Sequence, residues 1–197
     1  PLHLRGEQAG ATALDTSGDL FGADRSDPVY AAAFDAISSF ASTSSGKGVW
    51  GDELATAGAL AIGLASDLDG LFAPALPDDS LVSQLVLCAR LINANLGIRV
   101  LNVSFGSFDT HDNQLAEQQA LLAELDEAID AFYAEQDADA WGRRVALMSF
   151  SEFGRRARSN ASLGTDHGNS STMVLVADNA LGGFHGQAPD LRDLDQG

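Results

Sequence analysis

From Ser80 onward the sequence alternates between helical and strand periodicity, and this constrains the fold more than any other feature. Ser80 opens a buried helical stretch running to about Leu96 and stopping at Gly97, and Ile98-Arg-Val-Leu-Asn-Val-Ser-Phe105 follows at once as a β-branched run. The polar turn Gly106-Ser-Phe-Asp-Thr-His-Asp112 leads into an amphipathic helix carrying Leu115, Leu122, Leu125, Ile129 and Phe132, and a second apolar run spans Val145 to Phe150. Strand, helix, strand in that order favours a parallel pair joined by a right-handed crossover. The expected class is therefore α/β, a mostly parallel sheet flanked by helices. A third run, Thr172-Met-Val-Leu-Val-Ala177, follows a long polar loop and is expected to add a further strand.

The preceding part reads differently. Pro1 to Ser26 is rich in Gly, Thr, Ser and Asp without a sustained period and is expected to be loop with one short strand. Asp27-Pro28 reads as an N-cap followed by proline in the first turn of a helix whose apolar face is Tyr30, Phe34, Ile37 and Phe40. A second helix is expected over about Asp52 to Phe72, with Leu54, Ala57, Ala61, Leu64, Leu68 and Leu71 at helical spacing and Pro74 and Pro77 closing it. With 197 residues and 45% hydrophobic content, the chain supports one core. We expect a single domain over 1–197, the C-terminal portion of a larger α/β domain. It comprises a loop and helical region at 1–79 and a motif-bearing region at 80–197.

Charge and composition exclude several classes. The net charge of −17, from 28 acidic against 11 basic residues, repels a nucleic-acid backbone or an anionic membrane at long range. No apolar run approaches the roughly 18 residues that span a bilayer, and Pro1-Leu2-His3-Leu4-Arg5 has no signal-peptide pattern. Cys88 is the only cysteine, so neither an intrachain disulfide nor a thiolate metal cluster can form, and any metal is held by oxygen and imidazole.

In open α/β sheets ligands bind beyond the carboxyl ends of the strands, so the polar residues after each apolar run are the candidates. Asp109-Thr-His111 follows the first run. Residues two apart in an extended segment share a side, so this carboxylate and imidazole can converge on one cation. Ser151-Glu152-Phe153-Gly154-Arg155-Arg156 follows the second run, and Gly164-Thr165-Asp166-His167-Gly168-Asn169 precedes the third. Each piece alone has an ordinary explanation: Asp-x-His as a helix-capping loop, Glu152 as a partner of the neighbouring arginines, Asp166 as a turn former. The balance shifts because the chain has only four histidines and two of them stand beside carboxylates in these loops. Cys88 reads as core, and His185 in Gly182-Gly-Phe-His-Gly186 as a surface turn.

Gly106-Ser-Phe-Asp-Thr-His111, Ser151-Glu-Phe-Gly-Arg155 and Gly164-Thr-Asp-His-Gly168, in this order, resemble the bacterial domain-of-unknown-function family 1501 from about Leu81 to Leu191. That family is similar to the alkaline phosphatase and sulfatase superfamily, and many of its members begin with an export signal. The resemblance implies an exported precursor, periplasmic or extracellular. It also implies a divalent metal (Zn, Mn, Mg or Ca) held by Asp109, His111 and the returning His167, with Asp166 a ligand or the partner that orients a ring. Glu152 is implied as the acidic ligand of a second metal and as catalytic, although relatives follow that acid with His and this chain has Phe153. Arg155 is implied as the group that holds a phosphate or sulfate oxygen. The implied nucleophile lies on an N-terminal strand of relatives that this chain does not display.

Three functions follow as expectations. The first is metal-dependent hydrolysis of small anionic phosphate or sulfate esters. The second is a non-catalytic exported binding or assembly protein that retains the fold. In the third, these loops hold no ion and their acids and arginines satisfy one another.

Overall fold

The computed structural model describes residues 13–17, 27–42, 46, 48–68, 70–136, 144–188, 190 and 192. The chain divides into two compact units, Pro1–Asn102 and Val103–Gly197. The division falls inside the apolar run Ile98–Phe105, not at the composition change between residues 79 and 80.

The first unit is helical among its described residues, with α1 at Pro28–Ser42, α2 at Gly48–Asp67 and α3 at Leu81–Asn93. Asp27 starts α1 as expected: its Oδ1 accepts from the Val29 N–H at 2.7 Å, satisfying a donor that no helical carbonyl can reach. The face expected for α1 is only partly covered, since Ile37 and Phe40 remain exposed; the Tyr30 side chain lies outside the described set. The second helix stops before Leu68, so Leu68 and Leu71 enter the core from the turn beyond it. That core is Leu68, Leu87 and Leu91, packed by Leu14, Leu71, Phe72, Leu76, Leu96 and Leu101. Burying each such side chain fully contributes about 1.5–3 kcal/mol.

Asp78 and Ser80 build the N-terminus of α3. The Asp78 carboxylate accepts from the Ser80 N–H and the Ser83 hydroxyl, and the Ser80 hydroxyl accepts from the Ser83 N–H at 3.3 Å. The helix ends at Asn93, and Gly97, at a φ of 75°, turns the chain out of it a little later.

The second unit contains α4 at Gln114–Glu135 and four short strands: β1 at Ala146–Met148, β2 at Gly154–Ser159, β3 at Thr165–Gly168 and β4 at Leu175–Ala177. β1 pairs with β4 and β2 with β3, both antiparallel. The second and third apolar runs thus supply strands where expected. Their pairing follows from what lies between them: the chain leaves β1, makes the β2–β3 hairpin and returns as β4 running the opposite way, with no helical crossover. Among the described residues Ile98–Phe105 enters no ladder and no parallel pair is present. Ala128 and Phe132 are the buried residues of α4, and the Tyr133 hydroxyl donates to the Val176 carbonyl of β4 at 3.4 Å. No described helix is long and apolar enough to cross a membrane.

Candidate metal centre

The site is assembled by docking the 106–113 loop onto the β2–β3 hairpin. Asn160 builds the hairpin turn: its side-chain Oδ1 accepts from the backbone N–H groups of Ser162 and Gly164, each at 3.0 Å, and its own N–H donates to the Gly164 carbonyl at 2.8 Å. The turn then receives the loop. The Asn113 N–H donates to the Ser162 carbonyl at 3.0 Å, the Gln114 N–H donates to the Leu163 carbonyl at 3.1 Å, and the Thr165 hydroxyl donates to Gln114 Oε1 at 2.9 Å. Gly164 makes the approach possible, because a Cβ there would lie 2.3 Å from the carbonyl carbon and oxygen of His111.

Arg155, opposite His167 in the hairpin register, ties the same segments together from beneath. Its guanidinium donates through NH1 to the Thr165 carbonyl and through NH2 to the Phe108 carbonyl, and it lies 3.7 Å from Asp109 Oδ1. Its side chain is only 18% exposed. Phe153 stacks on the His167 ring at a centroid distance of 4.2 Å and an interplanar angle of 13°, with the Arg155 guanidinium 5.2 Å from its own centroid.

Three ligand atoms from two distant segments meet as a result. Asp109 Oδ1 is 2.9 Å from His111 Nε2 and 2.7 Å from His167 Nε2, and the two Nε2 atoms are 3.3 Å apart. Donors about 2.1 Å from one ion stand about 3.0–3.4 Å apart between octahedral and tetrahedral angles, so this triangle fits one face of a divalent cation after small adjustments. The three side chains are 46–59% exposed, which leaves the opposite face open to water or a ligand. Hydrogen bonds from both imidazoles to Asp109 satisfy the same triangle when Nε2 carries the proton. His167, and then His111, hold the Asp109 carboxyl below its ordinary value against the desolvation of its surroundings.

The other nitrogen of His111 faces a second carboxylate. Asp166 Oδ1 stands 3.6 Å from Nδ1, on the far side of the ring from the triangle. The hydrogen bond from Asn160 is the main cause of the lowered Asp166 pKa, with smaller contributions from His111 and Arg156.

Of the residues singled out in the sequence, the fold therefore gathers Asp109, His111 and His167 as candidate ligands and sets Asp166 behind His111. Glu152 occupies the exposed bend before β2 and is not part of the triangle. Arg155 directs two of its nitrogens to carbonyls. His185 makes a local contact with the Leu181 carbonyl at 2.8 Å. Cys88 is buried, and burial pushes its thiol up to about 11, so it carries no nucleophilic thiolate near neutral pH. Sequence reasoning missed Asn160 and the stacking role of Phe153; the only signal for Asn160 was its place four residues before a glycine in a polar loop.

A family model described as a protein of unknown function, DUF1501, matches residues 65–193, more than half of the chain. No curated protein and no solved structure gives a significant match.

Proposed function

The chain belongs to the DUF1501 family, and from that premise we propose that Asp109, His111 and His167 bind one divalent cation and that this site serves the hydrolysis of small phosphate or sulfate esters. The observation that carries the reading is the convergence of one carboxylate oxygen and two imidazole nitrogens within 3.3 Å of one another, from segments more than 50 residues apart. Kinship with the alkaline phosphatase and sulfatase superfamily, its mostly parallel sheet flanked by helices, and export of the precursor belong to the same proposal. The order of the three motifs supports them.

A bound cation of this kind, Zn, Mn, Mg or Ca, supplies charge to neutralise an ester oxyanion and to activate an attacking oxygen. Asp109 contributes the negative charge of the site, and the imidazoles contribute neutral donors. Arg155, whose NH2 lies 3.7 Å from Asp109 Oδ1, sets a positive charge beside the triangle and offsets locally the long-range repulsion that a net charge of −17 exerts on an anionic ester.

A second reading, a non-catalytic exported binding or assembly protein, draws support from two features. Glu152 stands outside the triangle, and Arg155 spends two nitrogens on the carbonyls of Phe108 and Thr165. Metal content after dialysis, followed by a phosphate-ester and sulfate-ester panel on the full-length protein, separates the two. Bound metal with turnover supports the hydrolase, bound metal without turnover supports the second reading, and a protein that retains no metal overturns the metal-dependent hydrolase.

A further inference from the structure

We propose that Asn160 is a positioning residue for the candidate metal centre, fixing His111 as a ligand by acting through Asp166. The inference rests on the metal reading above and names what holds that site in shape. It starts from the two ring nitrogens of His111, which face different partners. Nε2 faces Asp109 and His167, whereas Nδ1 faces Asp166 Oδ1 at 3.6 Å. An imidazole that binds a cation through Nε2 carries its proton on Nδ1, and a carboxylate on that side selects the tautomer and the ring angle.

Asp166 is itself exposed on β3 and needs a partner to hold it there. Asn160 Nδ2 supplies that hold, donating to Asp166 Oδ1 at 3.1 Å and to the His111 carbonyl at 2.8 Å. One amide group thus touches both the backbone of the ligand and the carboxylate behind its ring. The opposite end of the same amide, Oδ1, is fixed by the Ser162 and Gly164 N–H groups, so the donor end is aimed by the hairpin turn itself. The order of support is turn, Asn160, Asp166, His111, ligand triangle.

The amide's two ends separate a structural role from a positioning one. Asn160→Asp keeps an oxygen to accept from Ser162 and Gly164 and removes the donor that reaches Asp166 and the His111 carbonyl, leaving a carboxylate oxygen in its place. Asp166→Asn leaves the turn and Asn160 intact and removes the carboxylate behind Nδ1. Two measurements apply to the full chain. The first is the 15N imidazole spectrum of the metal-free protein, in which each variant is expected to shift the ring nitrogens of His111 and leave those of His167 in place. The second is calorimetric titration with Zn(II) and with Mn(II), where each single variant is expected to bind about 10- to 100-fold more weakly, the usual cost of losing a residue that orients a ligand. The double variant is expected to lose less affinity than the product of the two single losses, because Asn160 acts on the ring through Asp166.

Unchanged His111 nitrogens in both variants, or losses that multiply in the double variant, overturn the proposal. Equal disturbance of both imidazoles assigns Asn160 to the turn alone and also overturns it. A wild-type chain that binds neither cation sinks the proposed function instead. The imidazole spectrum then still decides whether Asn160 and Asp166 set the ring of His111.

Discussion

His167 Nε2 stands 2.7 Å from Asp109 Oδ1 although 58 residues separate them along the chain. That contact closes the triangle with His111, and each member is needed for a cation to be held by more than a pair of groups. Replacing any of Asp109, His111 or His167 by Ala should weaken divalent-metal binding by more than about 100-fold, beyond the range typical for residues that only orient a ligand. Glu152→Ala should leave affinity unchanged, because Glu152 lies outside the triangle. Metal content after dialysis and calorimetric titration of the four variants check this, and an equal loss on replacing Glu152 would refute the assignment.

The same contact gives metal-free stability a pH dependence. The Asp109 carboxyl is held below its ordinary 3.8 by His167 first and then His111. Above that value the group is ionised in both the folded and unfolded chain, so its contribution is fully present. As pH falls from 3.8 through the lower folded value, the unfolded chain takes up the proton first and the contribution is lost. Wild type should therefore exceed Asp109→Asn in urea stability near pH 7 in the presence of a chelator, and the gap should narrow below about pH 4. A gap that stays constant into acid would show that the carboxylate charge contributes nothing to folding.

The three candidate ligands were legible in the sequence because histidine is scarce here and two of the four stand beside carboxylates next to apolar runs. What holds them was not legible. Asn160 is an ordinary turn residue by type, and only its placement between His111 and Asp166 distinguishes it. β2 escaped notice because Gly154–Ser159 carries three arginines in six residues, and a search for apolar alternation passes over a ribbon with polar side chains. The helix carrying Leu115 to Phe132 suggested a crossover between parallel strands. Yet β1 pairs with β4 across the intervening hairpin, and the run Ile98–Phe105 joins no ladder among the described residues. Periodicity located β1 and β4 but left their partners to the connections between them.

Phe153 lies flat against His167, with ring centroids 4.2 Å apart. Such a stack contributes about 0.5–1.5 kcal/mol beyond the area it buries, and here it restricts rotation of a ring whose Nε2 must face the triangle. Phe153→Ala should therefore lower metal affinity by up to about tenfold, while Phe153→Tyr, which keeps the ring, should bind as wild type. Calorimetry on the two variants checks this. Equal losses in both would mean that the aromatic face is not what steadies His167.

Gly164 offers the sharpest test of how the two segments meet. A Cβ at this position would lie 2.3 Å from the carbonyl carbon and oxygen of His111 and 2.8 Å from the Asp112 nitrogen. Those are backbone atoms, so no side chain can swing aside to relieve the overlap, and the 106–113 loop must retreat from the hairpin. Gly164→Ala should lower stability by about 1–3 kcal/mol, as overpacking does elsewhere. Because the retreat carries Asp109 and His111 away from His167, the variant should also lose metal affinity. Gly182→Ala is the control: nothing lies within 4 Å of its added methyl group, and a surface substitution of that kind changes stability by less than about 0.5 kcal/mol. Urea unfolding and metal titration of both variants provide the measurement. A Gly164→Ala protein with wild-type stability and wild-type affinity would mean that the loop does not rest on the hairpin as the backbone distances require.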